Sequence, residues 1–402
     1  LFSHSVGYVG KLNDDSLQEI LSLQDLSLKE TIFKYSNGFL SGKTGIENVY
    51  DQELRGFFGK KTYEVDASGR LLKEIDTIPA LDGKDIHTSL DLKSQQVAFR
   101  ELKNRRGSVV AVDISDGAIV TYLSSPSFSV NKIANGLSQN DFNELIEDKN
   151  KPFFDRAAQG RYSPASTIKP AIGLFGLENN IIDWDFTIDD PGYFELPEDG
   201  RIYRGWKKGG HGKINLQDAI IESSNTFFFS LAYKSEIEEL IKHLSYFGFG
   251  RNVCLDCFLP DNGLLPNPAW KMNTLNFGWF KGDTVNLGVG QGYMSATPLQ
   301  LAYYSAFIAN KGALNKFSFV QDDKTLPKDV FYSGNIDDKD WEKIHKSMIG
   351  VIEHPKGTAG RLRELKDYII AAKSGTVELV STDTKEDYKI IREEEAKRDH
   401  AI

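Results

Sequence analysis

GSVVAVDISDGAIVTYLSSPSF, residues 107–128, is the stretch on which the fold turns. Two apolar runs flank Ser115-Asp116-Gly117, and an Asp-Gly pair between such runs is a strong short-range signal for a β-hairpin. Upstream, IHTSLDLKSQQVAFRELKNRR (86–106) reads as a strand passing into an amphipathic helix. Downstream lie a polar stretch, SVNKIANGLSQNDFNELIEDKNKP (129–152), a helix-rich middle from about residue 165 to 310, and a return to strand at YIIAAKSGTVELV (368–380). Strands, then many helices, then strands predict an α+β domain whose N- and C-terminal strands share one antiparallel sheet.

Residues 1–95 have a different texture. A short helical pattern, DDSLQEILSLQDLS (14–27), precedes a strand-like run, KTYEVDASGRLLKEI (61–75), broken at Ala67-Ser68-Gly69, where a hairpin turn is expected. A chain of 402 residues exceeds one ordinary core. The expected organisation is a smaller unit at 1–95 and a larger domain at 96–402.

Composition narrows the function. Hydrophobic residues make up 40% of the chain, enough for a buried core. Acidic residues outnumber basic ones, 57 to 48, and no basic stripe interleaved with aromatics follows a phosphate backbone, so nucleic acid is excluded as the ligand. No run approaches the ~18 apolar residues of a membrane-spanning helix. The two cysteines, Cys254 and Cys257 in RNVCLDCFLP, have no second pair at metal spacing and read as small apolar strand residues rather than redox or metal ligands. His211, among glycines in GGHGKIN, reads as a loop hydrogen bonder rather than a zinc ligand. The charge-dense tail DTKEDYKIIREEEAKRDH (383–400) reads as a solvated face.

The chemistry concentrates in SPASTIKPAIGLFGLENN (163–180). Pro164 and the apolar run after Lys169 signal entry into a buried helix, on which residues three apart are neighbours, so the Ser166 hydroxyl and the Lys169 amine can meet. A serine is a weak nucleophile until a base takes its proton, and a lysine serves as that base only when desolvation or nearby positive charge keeps it neutral. Ser-x-x-Lys alone is not specific: Ser129-Val130-Asn131-Lys132 repeats it, in what reads as an exposed loop.

Two further triplets complete the pattern. Ser-x-Asn occurs at 129–131, 138–140, 223–225 and 333–335, but only Ser223-Ser224-Asn225 lies between two apolar helical segments, in INLQDAIIESSNTFFFSLAY. There the Ser223 hydroxyl could relay a proton and the Asn225 amide could hold a peptide carbonyl. Lys-[Ser/Thr]-Gly occurs twice. Lys43-Thr44-Gly45 precedes the nucleophile, whereas Lys373-Ser374-Gly375 follows it and continues an apolar strand, to whose edge an extended peptide could add. Lys373 with the hydroxyls of Ser374 and Thr376 would face a terminal carboxylate, and the backbone amides of Ser166 and Thr376 would form an oxyanion hole.

In their order, these blocks resemble the class B penicillin-binding proteins, and most closely the elongation type, penicillin-binding protein 2. GYVGKLND and GKTGIENVYDQELRG are similar to the family's membrane-proximal linker, and SVVAVDISDGAIVTYLSSPSF to the start of its transpeptidase domain. FFDRAAQGRYSPASTIKP, YRGWKKGGHGKINLQDAIIESSNTFF, KGDTVNLGVGQGYMSATPLQLA, HPKGTAG and AAKSGT match further blocks. Tyr162-Ser163-Pro164-Ala165 stands where the family usually has Tyr-Pro-Pro-Gly.

The resemblance implies a penicillin-binding transpeptidase fold, similar to the serine β-lactamases, with residues 1–95 as the C-terminal part of a pedestal. It implies Ser166 as acyl nucleophile, Lys169 as its base, Ser223 and Asn225 as the second box, and Lys373, Ser374, Gly375 and Thr376 as the third. Lys43 would be structural. The implied activity is peptidoglycan D,D-transpeptidation at the periplasmic face of the inner membrane during cell-wall elongation, without metal or organic cofactor. Expected partners are stem peptides ending in D-Ala-D-Ala, an amine acceptor, β-lactams, a membrane glycan polymerase and rod-complex scaffold proteins. A D,D-carboxypeptidase or β-lactamase, or a non-turnover β-lactam sensor or scaffold, is the alternative. RDHAI (398–402) reads as the opening of a strand, and the chain as a fragment without its membrane anchor.

Overall fold

The computed structural model describes residues 1–12, 14–23, 29, 39–103, 105–320, 334, 336–365, 367–377 and 400–401. At its centre is the expected hairpin, Gly107–Val112 paired antiparallel with Ile119–Ser125 so that Val110 faces Tyr122. The second strand is buried almost throughout. The helix Leu92–Leu102 crosses it, started by Asp91, whose carboxylate accepts from Ser94 N at 2.7 Å. Its buried Gln95 mimics a strand residue: Nε2 donates to Tyr122 O at 2.8 Å, and Oε1 accepts from Tyr122 N at 2.9 Å. The strand expected before this helix is reduced to a single bridge, Thr88 to Val320.

Against the hairpin side packs a helical core. The helix Lys169–Glu178 is apolar on every side and buried from Lys169 to Gly176, the pattern of a helix enclosed by neighbours. The helices Leu216–Ile221, Asn225–Tyr233, Ile237–Tyr246 and Asp338–Glu353 surround it. Pro298–Ala309 joins the same core, its start fixed by a reciprocal Thr297–Gln300 capping box and Pro298 at the first turn.

Several expectations need correction. Among the described residues the strands form two-stranded ladders, while residues 378–399, on which most of the C-terminal part of the expected shared sheet falls, lie outside the described residues. In YIIAAKSGTVELV only Thr376–Val377 is strand among the described residues, paired with His400–Ala401, so the opening of a strand in RDHAI is present. Residues 371–375 have no ladder partner among the described residues; Ala372 N donates to Met348 O at 3.1 Å, and the Lys373 amine reaches Ser223 Oγ and Ser374 O. Residues 383–399 of the charged tail lie outside the described residues. The polar stretch after the hairpin is not all loop: Ser129 and Ser138 cap the short exposed helices Val130–Ala134 and Gln139–Glu147. Cys254 and Cys257 are buried as expected, yet joined as a disulfide. A tight turn, not a strand, carries them, and it brings two sulfurs three residues apart into bonding range.

In the N-terminal region the hairpin Lys60–Val65 with Leu71–Ile78 forms around Gly69, and the helix Asp14–Leu23 is present. Lys43-Thr44-Gly45 links the strand Leu40–Gly42 to the helix Gly45–Val49. Gly45 has φ +62, and a Cβ there would lie 2.6 Å from Gly7 N, so the glycine serves a close backbone crossing.

Candidate active site

The segment before Ser166 is held by a Tyr162–Ala296 backbone bridge and by the Gly290 carbonyl. Gly290 O accepts from Ala165 N at 2.9 Å and from Ser163 Oγ at 2.5 Å. Ala165 takes the left-handed conformation, φ +49, and turns the chain into the 3₁₀ turn Ala165–Ile168, which runs into the helix at Lys169. A Cβ on Gly290, itself at φ +69, would meet Ala165 O at 2.3 Å. Ser166 sits on this turn, half-exposed.

Lys169 is fully buried, its amine 5.5 Å from the centre of the Phe228 ring. It donates to Asn225 Oδ1 at 2.7 Å, Ser223 O at 2.9 Å and Ser223 Oγ at 3.2 Å. The spacing suggested a Ser166–Lys169 contact; instead all three amine bonds go to the second box, because the lysine points inward from the turn. Desolvation, then the positive charge of Lys373, holds the amine well below its ordinary value, against a smaller opposing pull from Asp190.

Ser223-Ser224-Asn225 forms the turn between Leu216–Ile221 and Asn225–Tyr233. Ser223 is left-handed, φ +57. Ser224 is buried, caps the second helix by accepting from Phe227 N at 3.2 Å, and donates to Asp190 Oδ2 at 2.7 Å.

Lys373 reaches the same serine: its Nζ donates to Ser223 Oγ and to Ser374 O, each at 2.9 Å. Desolvation pushes this amine down to about 7. Ser374 Oγ pairs with Thr358 Oγ1 at 3.0 Å, Gly375 is buried, and the strand from Thr376 packs on the turn that carries Ser166. Ser223 Oγ therefore lies between two amines whose proton affinities are both lowered, an arrangement suited to moving protons.

The other Ser-x-Asn copies stand apart from these residues: Ser129 and Ser138 cap exposed helices, and Ser333 and Asn335 lie outside the described residues. Sequence reasoning missed Asp190, Glu222, Gly290 and Lys356. The blocks INLQDAIIESSNTFFFSLAY, GVGQG and HPKGTAG contain Glu222, Gly290 and Lys356, but nothing in a linear pattern says that Asp190 lies under Ser224. His211 does act as a loop hydrogen bonder, to Asp190 at 2.7 Å.

Known proteins resemble this chain in sequence and in fold. Residues 107–391 match the family described as penicillin binding protein transpeptidase domain, and residues 1–88 match the penicillin-binding protein dimerisation domain. Peptidoglycan D,D-transpeptidase MrdA of Acinetobacter baumannii is 38% identical over the whole chain, which covers 59% of that protein, and MrdA of Escherichia coli K12 is 34% identical, with 63% covered. The chain thus spans about three fifths of these curated relatives. Among solved structures, PBP2 of Pseudomonas aeruginosa in complex with WCK 5153 superposes with a TM-score of 0.80 at 34% identity, over 94% of this chain and 79% of that one. PBP2 of Helicobacter pylori in complex with MreC gives 0.85 at 31%, over 99% and 69%. No described helix is long and apolar enough to cross a membrane. By sequence and by fold, the chain belongs to the penicillin-binding protein transpeptidase family.

Proposed function

We propose that this protein is a peptidoglycan D,D-transpeptidase that cross-links stem peptides through an acyl-enzyme on Ser166. The observation that carries the reading is the buried Lys169 amine, joined through Ser223 Oγ to Lys373 and placed one turn after a half-exposed serine. Neutral Lys169 takes the Ser166 proton as Oγ attacks the carbonyl of the penultimate D-Ala. The oxyanion rests on the backbone amides of Ser166 and Thr376, donors worth about 3 kcal/mol each. The proton passes by way of Ser223 Oγ to the departing terminal D-Ala, the C–N bond breaks, and an amine from a second stem peptide attacks the ester and regenerates Ser166. Asn225 holds a peptide carbonyl of the donor, while Lys373, Ser374 and Thr376 hold its carboxylate, with Gly375 letting the backbone approach. β-Lactams acylate the same serine.

The gap between the matched segments, from residue 88 to 107, supports a division near residue 95 into linker and transpeptidase domain. The likeness to a PBP2 solved with MreC, and to a chain from a peptidoglycan synthase complex that coordinates polymerization and crosslinking, supports rod-complex scaffold proteins and a membrane glycan polymerase as partners at the periplasmic face of the inner membrane. Labelling with a fluorescent penicillin tests the chemistry. Stable label in the wild type and none in Ser166→Ala is expected, followed by cross-linked product from a D-Ala-D-Ala donor and an amine acceptor. Label independent of Ser166, or product consisting of hydrolysed donor alone, overturns the reading.

A further inference from the structure

Behind the Ser-Ser-Asn turn lies a buried polar chain that the chemistry above does not use. Asp190, the last residue of the strand Thr187–Asp190, accepts at Oδ2 from Ser224 Oγ and His211 Nδ1, both at 2.7 Å, and at Oδ1 from Gly192 N at 2.7 Å. Burial pushes its carboxyl up, but these hydrogen bonds outweigh burial and hold it below the usual range. The enclosed His211 ring stands edge-on to Trp206, and its Nε2, buried and without a hydrogen bond, faces Glu222 Oε2 at 3.9 Å. Glu222 pairs with Lys356 at 3.2 Å and Lys207 at 3.5 Å, while Trp206 Nε1 donates to Ser223 O at 3.1 Å. Lys356 is two residues before Thr358, the partner of Ser374. The chain therefore joins the second box to the third by a route separate from the two lysines.

Ser223 gives this chain its purpose. A left-handed non-glycine residue is strained and persists only where its surroundings fix it. The fixing bonds fall on the next residue, Ser224, whose N donates to Ala219 O at 3.0 Å and whose Oγ donates to Asp190.

We propose that Asp190 and His211 are positioning residues for acyl transfer: they pin Ser224 so that Ser223 keeps its turn and offers both carbonyl and hydroxyl to Lys169. The inference rests on Ser166 being the nucleophile. Asp190 has a second effect through charge. The charged groups that act on Lys169 are Lys373 from the third box, which lowers its proton affinity, and Asp190 from the strand, which raises it. Removing the Asp190 charge lets Lys169 become neutral at lower pH.

The test is the rate of acylation by a fluorescent penicillin against pH and concentration, on the full-length protein. Ser166→Ala serves as control: label that survives in it sinks the nucleophile assignment and not this one. Given serine-dependent label, His211→Ala slows acylation at least tenfold at saturating penicillin. His211→Asn, whose amide can still donate to Asp190, restores most of the rate. Asp190→Asn moves the acid limb of the profile to lower pH. Wild-type rate and profile in both His211→Ala and Asp190→Asn overturn the proposal, as does His211→Asn no faster than His211→Ala. Should His211→Ala fail to fold, Ser224→Ala, which removes the hydroxyl that Asp190 holds, decides alone: a wild-type acylation rate in it refutes the proposal.

Discussion

Lys373 shows how much one residue's environment decides. Its half-buried amine, bonded to Ser223 Oγ and Ser374 O, gives up its proton near pH 7 because desolvation disfavours the cation. In the proposed role that cation meets a donor's carboxylate in the free enzyme, so kcat/KM for a carboxylate-bearing substrate is expected to fall as pH climbs past about 7. A pH series from 6 to 9 checks this; a kcat/KM that keeps rising to pH 9 refutes it, and Lys373→Ala removes the limb along with most of the rate. Stability moves the other way. The folded value lies below the ordinary 10.5, so between about 7 and 10.5 the unfolded chain holds the extra proton, and this group makes the fold more stable as pH rises through that window. The triplet Lys-Ser-Gly could be read from the sequence, but the proton affinity could not, since it depends on walls contributed by other parts of the chain.

At the scale of elements, the site depends on a turn that docks another turn. Gly290 O receives both Ala165 N and Ser163 Oγ, and no Cβ fits between Gly290 and the Ala165 carbonyl. A Gly290→Ala variant must move one backbone or the other, adding strain of roughly 1–3 kcal/mol. The strain falls on the segment that aims Ser166, so acylation drops at least tenfold while the denaturation midpoint shifts only modestly. Labelling kinetics beside urea unfolding checks it, and wild-type acylation in this variant would show that the docking does not aim the serine. The hairpin at 107–125 and the helix from Lys169 were legible because apolar periodicity and an Asp-Gly turn are local signals. The 3₁₀ turn and the inward swing of Lys169 were not, because a three-residue spacing fits either geometry.

Across the molecule, Asp256 ties distant segments together. Its carboxylate accepts from Tyr50 OH, Ser318 Oγ, Phe319 N and Val320 N, all within 3.0 Å, at the tip of the Cys254–Cys257 disulfide loop. Buried donors left without an acceptor cost about 1–3 kcal/mol each. Asp256→Ala is therefore expected to lose about 3 kcal/mol or more, and Tyr50→Phe only about 1, since the carboxylate keeps its bonds from Ser318 Oγ, Phe319 N and Val320 N. Equilibrium unfolding of the two variants checks the ratio; equal losses would mean that Tyr50 does not act through this carboxylate. The cysteine pair was misread from the sequence because Cys-x-x-Cys by itself does not reveal whether the backbone turns tightly enough to join the sulfurs.

The sequence by itself determined the class of fold, the order of the three boxes and the exclusion of Lys43-Thr44-Gly45, because these rest on local periodicity and on order along the chain. Only the tertiary structure decided that Lys169 and Lys373 converge on one hydroxyl, and that Asp190, His211 and Glu222 stand behind it. Those facts depend on which surfaces exclude water together, and segments far apart in sequence meet there only after packing.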